Sequence, residues 1–326
     1  MNRFLAAFAG LAAVAVIALL PLWLGPFYTR VIQFFFFSAA LAIAWNILGG
    51  FAGYWSFGHT AFIGIGAFAA AHFVMQFGAF GTGPVSMVLP VLVAALVCAV
   101  FAALLAYPVL RLRGIYFAIV MLGVAQVVSE LVNNVNWFQG GVGVYLPSPV
   151  PSGMAPEDFY YYVFAALLLV TFLLSVAIRR TRFAYGLLAI REDEDTAMML
   201  GVPTERFKIA AFVLSSVLVG VLGAVYAYSV GYFTTYTVFR LDFSLNMIVF
   251  CLIGGIGTLF GPIVGTAVML FLTQVLLSRF LDIHLLITGL IVVTITLVAP
   301  GGILGILRRR PRRAKLAAEP EAERSA

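Results

Sequence analysis

VSMVLPVLVAALVCAVFAALLAYPVL, residues 85–110, contains no charged side chain. A bilayer hydrocarbon core of about 30 Å takes about 20 helical residues to cross, so this stretch is long enough to span lipid as a helix. The other structure that satisfies its own backbone in lipid is a closed barrel, whose strands alternate apolar and polar residues with period two. The run VLVAALVCAV is apolar on every face instead, so the span is a helix. The rest of the chain extends the reading: of its 326 residues 63% are apolar and 10% charged, with a mean hydropathy of +1.09, far outside the globular range. Thirty Phe and three His speak against a polar catalytic domain. The expected fold class is an all-α, polytopic integral membrane protein.

Ten apolar segments follow from the pattern: 4–24, 31–48, 57–77, 85–110, 114–132, 159–178, 208–229, 243–256, 258–278 and 283–307. Segments 57–77 and 243–256 are glycine-rich or short and fit re-entrant or broken helices, so the count is about ten transmembrane or re-entrant helices, with eight as the alternative. Residues 1–24 resemble a signal peptide with Arg3 as its basic region. The apolar run from Phe4 to Leu24 is longer than the usual signal core, however, and no small-residue cleavage site follows it, which favours a retained first helix. Cys98 and Cys251 lie inside apolar runs and read as small buried hydrophobes.

Lys and Arg accumulate on the cytoplasmic side of membrane proteins. If all ten segments cross and the N-terminus is inside, 16 of the nineteen basic residues fall inside, and only Arg30, Arg240 and Arg279 fall outside. This puts both termini in the cytoplasm. Residues 1–307 then form one transmembrane domain with an external loop at 133–158 and a cytoplasmic loop at 179–208. The external loop is too rich in Pro and Gly for a buried helix; it either docks an external partner or closes over the membrane surface. Residues 308–326 are a disordered cytoplasmic tail, whose basic start is a positive-inside anchor rather than a nucleic-acid patch.

The cytoplasmic loop holds AIREDEDTAMMLGVP, residues 189–203, in which Glu192, Asp193, Glu194 and Asp195 stand side by side. They precede a short helical stretch, Thr196 to Leu200, and suit the positive end of its dipole. Gly201 is placed to stop that helix, Pro203 to prevent its continuation and Thr204 to cap the next one. A short, stopped helix fits a partner's groove, and a solvated charged connector accounts equally well for the spacing.

No Walker A motif is possible, because Lys208 and Lys315 are the chain's only lysines and neither follows a glycine. His59, His72 and His284 show no repeated spacing for haem or metal. The acid clearly inside an apolar segment is Glu130, near the outer end of its helix; it reads as interfacial, and so few intramembrane charges disfavour an ion-driven pump. Two glycine-rich breaks remain, GGFAGYWSFGH at 49–59 and GGIGTLFGP at 254–262. Matched interruptions mark internal repeats whose unwound backbone lines a cavity, which makes Gly53, Ser56, Gly58, His59, Gly254, Gly255 and Gly257 candidate pathway residues. The competing reading of the second break is helix packing through a Gly257, Gly261, Gly265 ladder.

GGFAGYWSFGHTAFIGIGAF, LRLRGIYFAIVMLG (departing at Ile115 and Met121), AIREDEDTAMMLGV, LIGGIGTLFGPIVGT and APGGILG occur in order, and over residues 30–307 the chain resembles the LivM-like permease subunits of branched-chain amino-acid ABC importers. The resemblance implies a multi-pass protein of the bacterial inner membrane that makes and breaks no bond itself. It implies a second homologous permease subunit, two cytoplasmic ATPases that bind the ATP, and a periplasmic substrate-binding protein. Arg191, Glu192, Asp193, Glu194, Ala197 and Gly201 match the family's coupling helix, the segment gripped by the ATPase. Related permeases of similar sequence serve urea or short amides, and a self-sufficient carrier or channel is the rival class.

Overall fold

A computed structural model describes residues 20–78, 83–135, 138, 141–276, 289 and 302–308. The expected first span at 4–24 and last span at 283–307 lie largely outside them. The helices are α1 (Pro26–Asn46), α2 (Thr60–Phe77), α3 (Val88–Val109), α4 (Ile115–Asn134), α5 (Pro156–Arg179), α6 (Arg182–Glu192), α7 (Glu194–Met199), α8 (Thr204–Val230), α9 (Thr235–Val238), α10 (Leu241–Gly254), α11 (Gly261–Leu270) and α12 (Gly302–Arg308). Among the described residues, seven stretches are long and apolar enough to cross a membrane, and Gly261–Thr273 is a shorter apolar helix. The chain is an all-α multi-pass membrane protein.

Both segments suspected of re-entry reach spanning length. α2 has 18 residues, and α9 with α10 forms a 20-residue span, Thr235–Gly254. The irregular backbone lies before α2: α1 runs into a π-helical turn at Ile47–Phe51, and residues 52–59 have no regular structure. That stretch sits inside the protein, where Trp45 Nε1 donates to the Ser56 carbonyl at 2.8 Å. Non-helical backbone is tolerated at membrane depth only where protein or a wet cavity shields it.

α2 packs on α3 and α8, α1 on α5 and α8, and α10 on α11. In lipid there is no hydrophobic drive between helices, so close approach through small residues dominates. A Cβ on Gly66 would meet the Gly220 carbonyl, and one on Gly220 would meet Cys98. Cys98 and Cys251 are free and buried. Around these contacts Trp45, Phe37, Phe62, Phe164 and Phe212 are wholly enclosed, with Phe37 stacked on Tyr226 at 4.8 Å between centroids.

The two ends of the bundle differ. One, here the basic end, carries Arg111, Arg113 and α6–α7. The other carries a two-stranded antiparallel ribbon, β1 (Val144–Tyr145) with β2 (Tyr232–Phe233), in the register Val144 to Phe233 and Tyr145 to Tyr232. The ribbon ties the 133–158 loop to the turn after α8, and Leu146 N extends it by donating to Gly231 O at 2.8 Å.

Candidate coupling site

The four adjacent acids at the basic end have four different surroundings. Glu192 is exposed at the last position of α6, a helix that the sequence pattern did not separate from its loop. Asp193 leaves helical geometry, with φ −159° and ψ 118°, and its side chain accepts from Thr196 N at 2.6 Å. It is the N-cap of α7, and this hydrogen bond holds its carboxyl below the usual carboxylate range. Asp195 receives both terminal nitrogens of Arg113 at 3.0 Å. That contact, first among the causes, raises the Arg113 pKa above its ordinary value, and a two-toothed guanidinium contact fixes orientation as well as distance.

Glu194 turns inward. Its Oε1 lies 2.6 Å from Lys208 Nζ, and its Oε2 accepts from the Tyr54 hydroxyl at 2.5 Å. Lys208 also donates to the Tyr54 hydroxyl at 3.1 Å and to the Leu110 carbonyl at 3.2 Å. Both charged side chains are nearly enclosed, 6% exposed for Lys208 and 11% for Glu194. A pair taken out of water is tolerated only when each partner's remaining donors and acceptors are met, as they are here. Burial first, and the Glu194 hydrogen bond second, push the Tyr54 phenol up.

Two assignments at α7 differ from expectation. The helix begins at Glu194 rather than Thr196, because Asp193 supplies the cap that releases Glu194 and Asp195 into the first turn. Thr204 does not cap α8; it is the first helical residue, with Pro203 before it and no side-chain cap present. Gly201 sits where expected, at φ +83°. Its N–H donates to Met198 O, and Val202 N–H donates to Ala197 O, each at 3.0 Å. This paired arrangement closes the helix C-terminus and needs a left-handed residue that glycine supplies at little cost. Ala197 is buried, while Met198, Met199 and Leu200 project at 53%, 87% and 78% exposure.

Arg191 reaches the other way. Its Nη1 donates to Gly50 O at 2.8 Å, and a Cβ on Gly257 would collide with that guanidinium. Arg179 Nη1 donates to Gly257 O at 3.2 Å. The Asn46 side chain joins the two glycine breaks, donating to Thr258 O at 3.0 Å and accepting from Gly257 N at 2.9 Å. The breaks therefore meet at the basic end, against the segment that contains α7. Gly53 lies under the Arg191 stem.

The other candidate residues are packed. Ser56 is buried and its hydroxyl has no partner among the described residues. His59 Nε2 lies 2.8 Å from Ser215 Oγ; since that hydroxyl donates to Ala44 O at 2.7 Å, Nε2 carries the ring proton and Nδ1 is an acceptor. A Cβ on Gly58 would strike the Met121 carbonyl of α4. Gly254, Gly261 and Gly265 interlock α10 and α11, whereas Gly257 lies in the turn before α11. Gly255 is the C-cap of α10. Among the described residues no three His, Cys, Asp or Glu side chains come together to hold a metal ion.

Sequence reasoning missed Lys208, Tyr54 and Arg113 as partners of the acids. A signal existed for Lys208: a lone lysine entering an apolar run must find an anion, and four were at hand. Nothing in the sequence marked Tyr54, which is brought to Glu194 across 140 residues.

The family model for the branched-chain amino acid transport system permease component matches residues 27–297. The chain is 30% identical to the high-affinity branched-chain amino acid transport system permease protein LivM of Escherichia coli (strain K12), over 82% of this chain and 68% of that protein. It is 29% identical to the autoinducer 2 import system permease protein LsrC of Klebsiella pneumoniae, over 51% of this chain and 47% of LsrC. It is also 29% identical to LivH of Escherichia coli (strain K12), over 43% and 47%. No solved structure matches. With the family's model running through every spanning helix described above, the chain belongs to the branched-chain amino acid transport permease family.

Proposed function

We propose that the chain is the transmembrane permease subunit of an ATP-driven importer of branched-chain amino acids in the bacterial inner membrane, and that α7 is its coupling helix. The observation that carries this is the construction of α7: capped at both ends, tied inward through Glu194 and to Arg113 at the surface through Asp195, joined to α6 whose Arg191 reaches Gly50, and presenting Met198, Met199 and Leu200 outward. A capped helix with fixed roots transmits a displacement that a loose connector dissipates. On this reading the basic end faces the cytoplasm, the exposed apolar residues enter a cleft in one of two separate ATPases that hold the nucleotide, and a second homologous permease completes the pathway. A periplasmic binding protein delivers solute to the ribbon end. This chain needs no cofactor and performs no bond chemistry.

The push has a route. Glu194 holds Tyr54, whose ring packs edge-on against Phe117 of α4 at 5.2 Å, and Arg113 at the base of α4 holds Asp195. Gly58 sets how near α4 lies, Ser56 and His59 are the buried polar groups beside it that we assign to the pathway, and the Gly254 to Gly257 turn contributes backbone beside Arg191. The solute assignment follows the relatives named for branched-chain amino acids, which match most of the chain; LsrC, named for autoinducer 2 import, covers about half. In a reconstituted complex, Glu194→Gln or Gly201→Ala should leave membrane insertion intact and ATP hydrolysis running while uptake falls. Normal uptake by both variants would overturn the coupling role. The rival, a self-sufficient carrier, predicts solute uptake by the purified chain alone in liposomes; our reading expects none.

A further inference from the structure

α4 is built with two opposite faces. Phe117, Met121, Ala125, Val128 and Val132 are buried against the bundle. Directly across the helix, Gln126, Glu130 and Asn134 are exposed at helical spacing. Gln126 Nε2 donates to Glu130 Oε1 at 3.3 Å and Asn134 Nδ2 donates to Oε2 at 3.2 Å, so one carboxylate is held between two amides. Val127, Leu131 and Val135 join these three around a surface cavity of about 340 Å³. Below them Gly123 leaves the same face open.

Three features separate Glu130 from an ordinary interfacial acid. Gln126 is eight residues from the helix end, about 12 Å down the axis, so the polar ladder descends well into the span, where an exposed polar face is not tolerated against lipid. The carboxylate stands near the C-terminus of α4, the negative end of the helix dipole, where an anion is disfavoured. Of the other helical acids, Glu157, Asp158, Glu194, Asp195, Glu205 and Asp242 stand in first turns, where the dipole favours them, and Glu192 alone shares the unfavourable end, at the last residue of α6. Among the described residues no basic side chain lies within ion-pair distance of Glu130, although four other acids have one. An oriented, uncompensated anion on an open membrane face has the chemistry to receive a cation.

The geometry points to Glu130 as the group that receives the ammonium of a zwitterionic amino acid at the ribbon end of the pathway. Asn134 Nδ2 spends its two hydrogens on the Glu130 carbonyl and Oε2, so the second hydrogen of the Gln126 amide is the donor that stands ready for the solute's carboxylate. This rests on the importer reading, and it excludes urea and short amides as the solutes the site is built for, since they carry no ammonium. It also joins coupling to binding, because the buried face of this helix is the one that Tyr54 and Gly58 support.

The test uses the assembled importer in proteoliposomes, with Cys98 and Cys251 replaced by Ala. Gln126→Cys should react about tenfold faster with a cationic than with an anionic membrane-impermeant methanethiosulfonate of similar size, and Glu130→Gln should bring the two rates together. Without the cysteine probe, Glu130→Gln should lower leucine uptake about tenfold with binding-protein-stimulated ATP hydrolysis retained, while Glu130→Asp keeps most uptake. A probe that neither reagent reaches, a rate ratio indifferent to Glu130→Gln, unchanged leucine uptake, or equal loss of uptake and hydrolysis would each overturn the assignment. Failure of the importer reading appears separately, as absence of leucine uptake by the unsubstituted complex.

Discussion

The breaks at 49–59 and 254–262 share a Gly-Gly pair and a later Phe-Gly, yet they are used differently. In the second, Gly254 and Gly261, with Gly265 just beyond the break, place the backbones of α10 and α11 against each other, and Gly257 lies against the Arg191 guanidinium. In the first, the glycines admit unlike neighbours: Gly50 takes the Asn46 side chain, Gly53 the Arg191 stem, Gly58 the Met121 carbonyl of α4, and Tyr54 between them takes Glu194 and Lys208. The lesson is that a glycine pair in a membrane helix specifies proximity only, and the residues between the glycines decide whether that proximity locks or transmits.

Substitutions sharpen this contrast. Gly254→Ala places a methyl on the Gly261 carbonyl with helices on both sides, so it should cost about 3 kcal/mol and show as a lowered unfolding midpoint in detergent. Lys208→Met leaves the nearly enclosed Glu194 carboxylate with the Tyr54 hydroxyl and the more distant Arg113 Nε at 3.5 Å, and should cost about 3 kcal/mol. Adding Glu194→Met should recover most of that stability without recovering coupled uptake, a separation measurable by thermal unfolding beside reconstituted transport. Gly58→Ala makes a comparable clash, but with a helix packed on one face only, so α4 shifts and the stability loss is about 1 kcal/mol. Its uptake should fall further than its stability; equal losses from Gly58→Ala and Gly254→Ala would erase the distinction between the breaks. Gly201→Ala forces a left-handed alanine and should cost about 1 kcal/mol. Ser56→Ala removes a hydroxyl with no described partner, so its unfolding midpoint should not move, and any change in uptake would assign that hydroxyl to the pathway.

Much of the segment proposed for coupling was legible because caps are local. Asp193 and Gly201 act within a few residues of themselves, through hydrogen bonds to Thr196 and Met198, and such contacts leave a signature in spacing. The start of α7 was misplaced by two residues because a run of four acids does not say which one caps. α6 was not seen because its mixed composition lacks the long apolar run by which the spanning helices were found. Glu130 was visible as an acid in an apolar segment; its exposed face and its two amide neighbours came from the structure.

The sequence by itself determined that this chain is a bundle of membrane-spanning helices with a charged, capped segment at its basic end, because lipid solubility, backbone satisfaction and helix capping are set by composition and by neighbours within about one turn. Tertiary structure decided which acids are buried, which glycine admits which helix, and which face of α4 stays open. Those outcomes join Tyr54 to Glu194 across 140 residues and Asn46 to Gly257 across 211. No local preference encodes such pairings; the packing of the helices around them does.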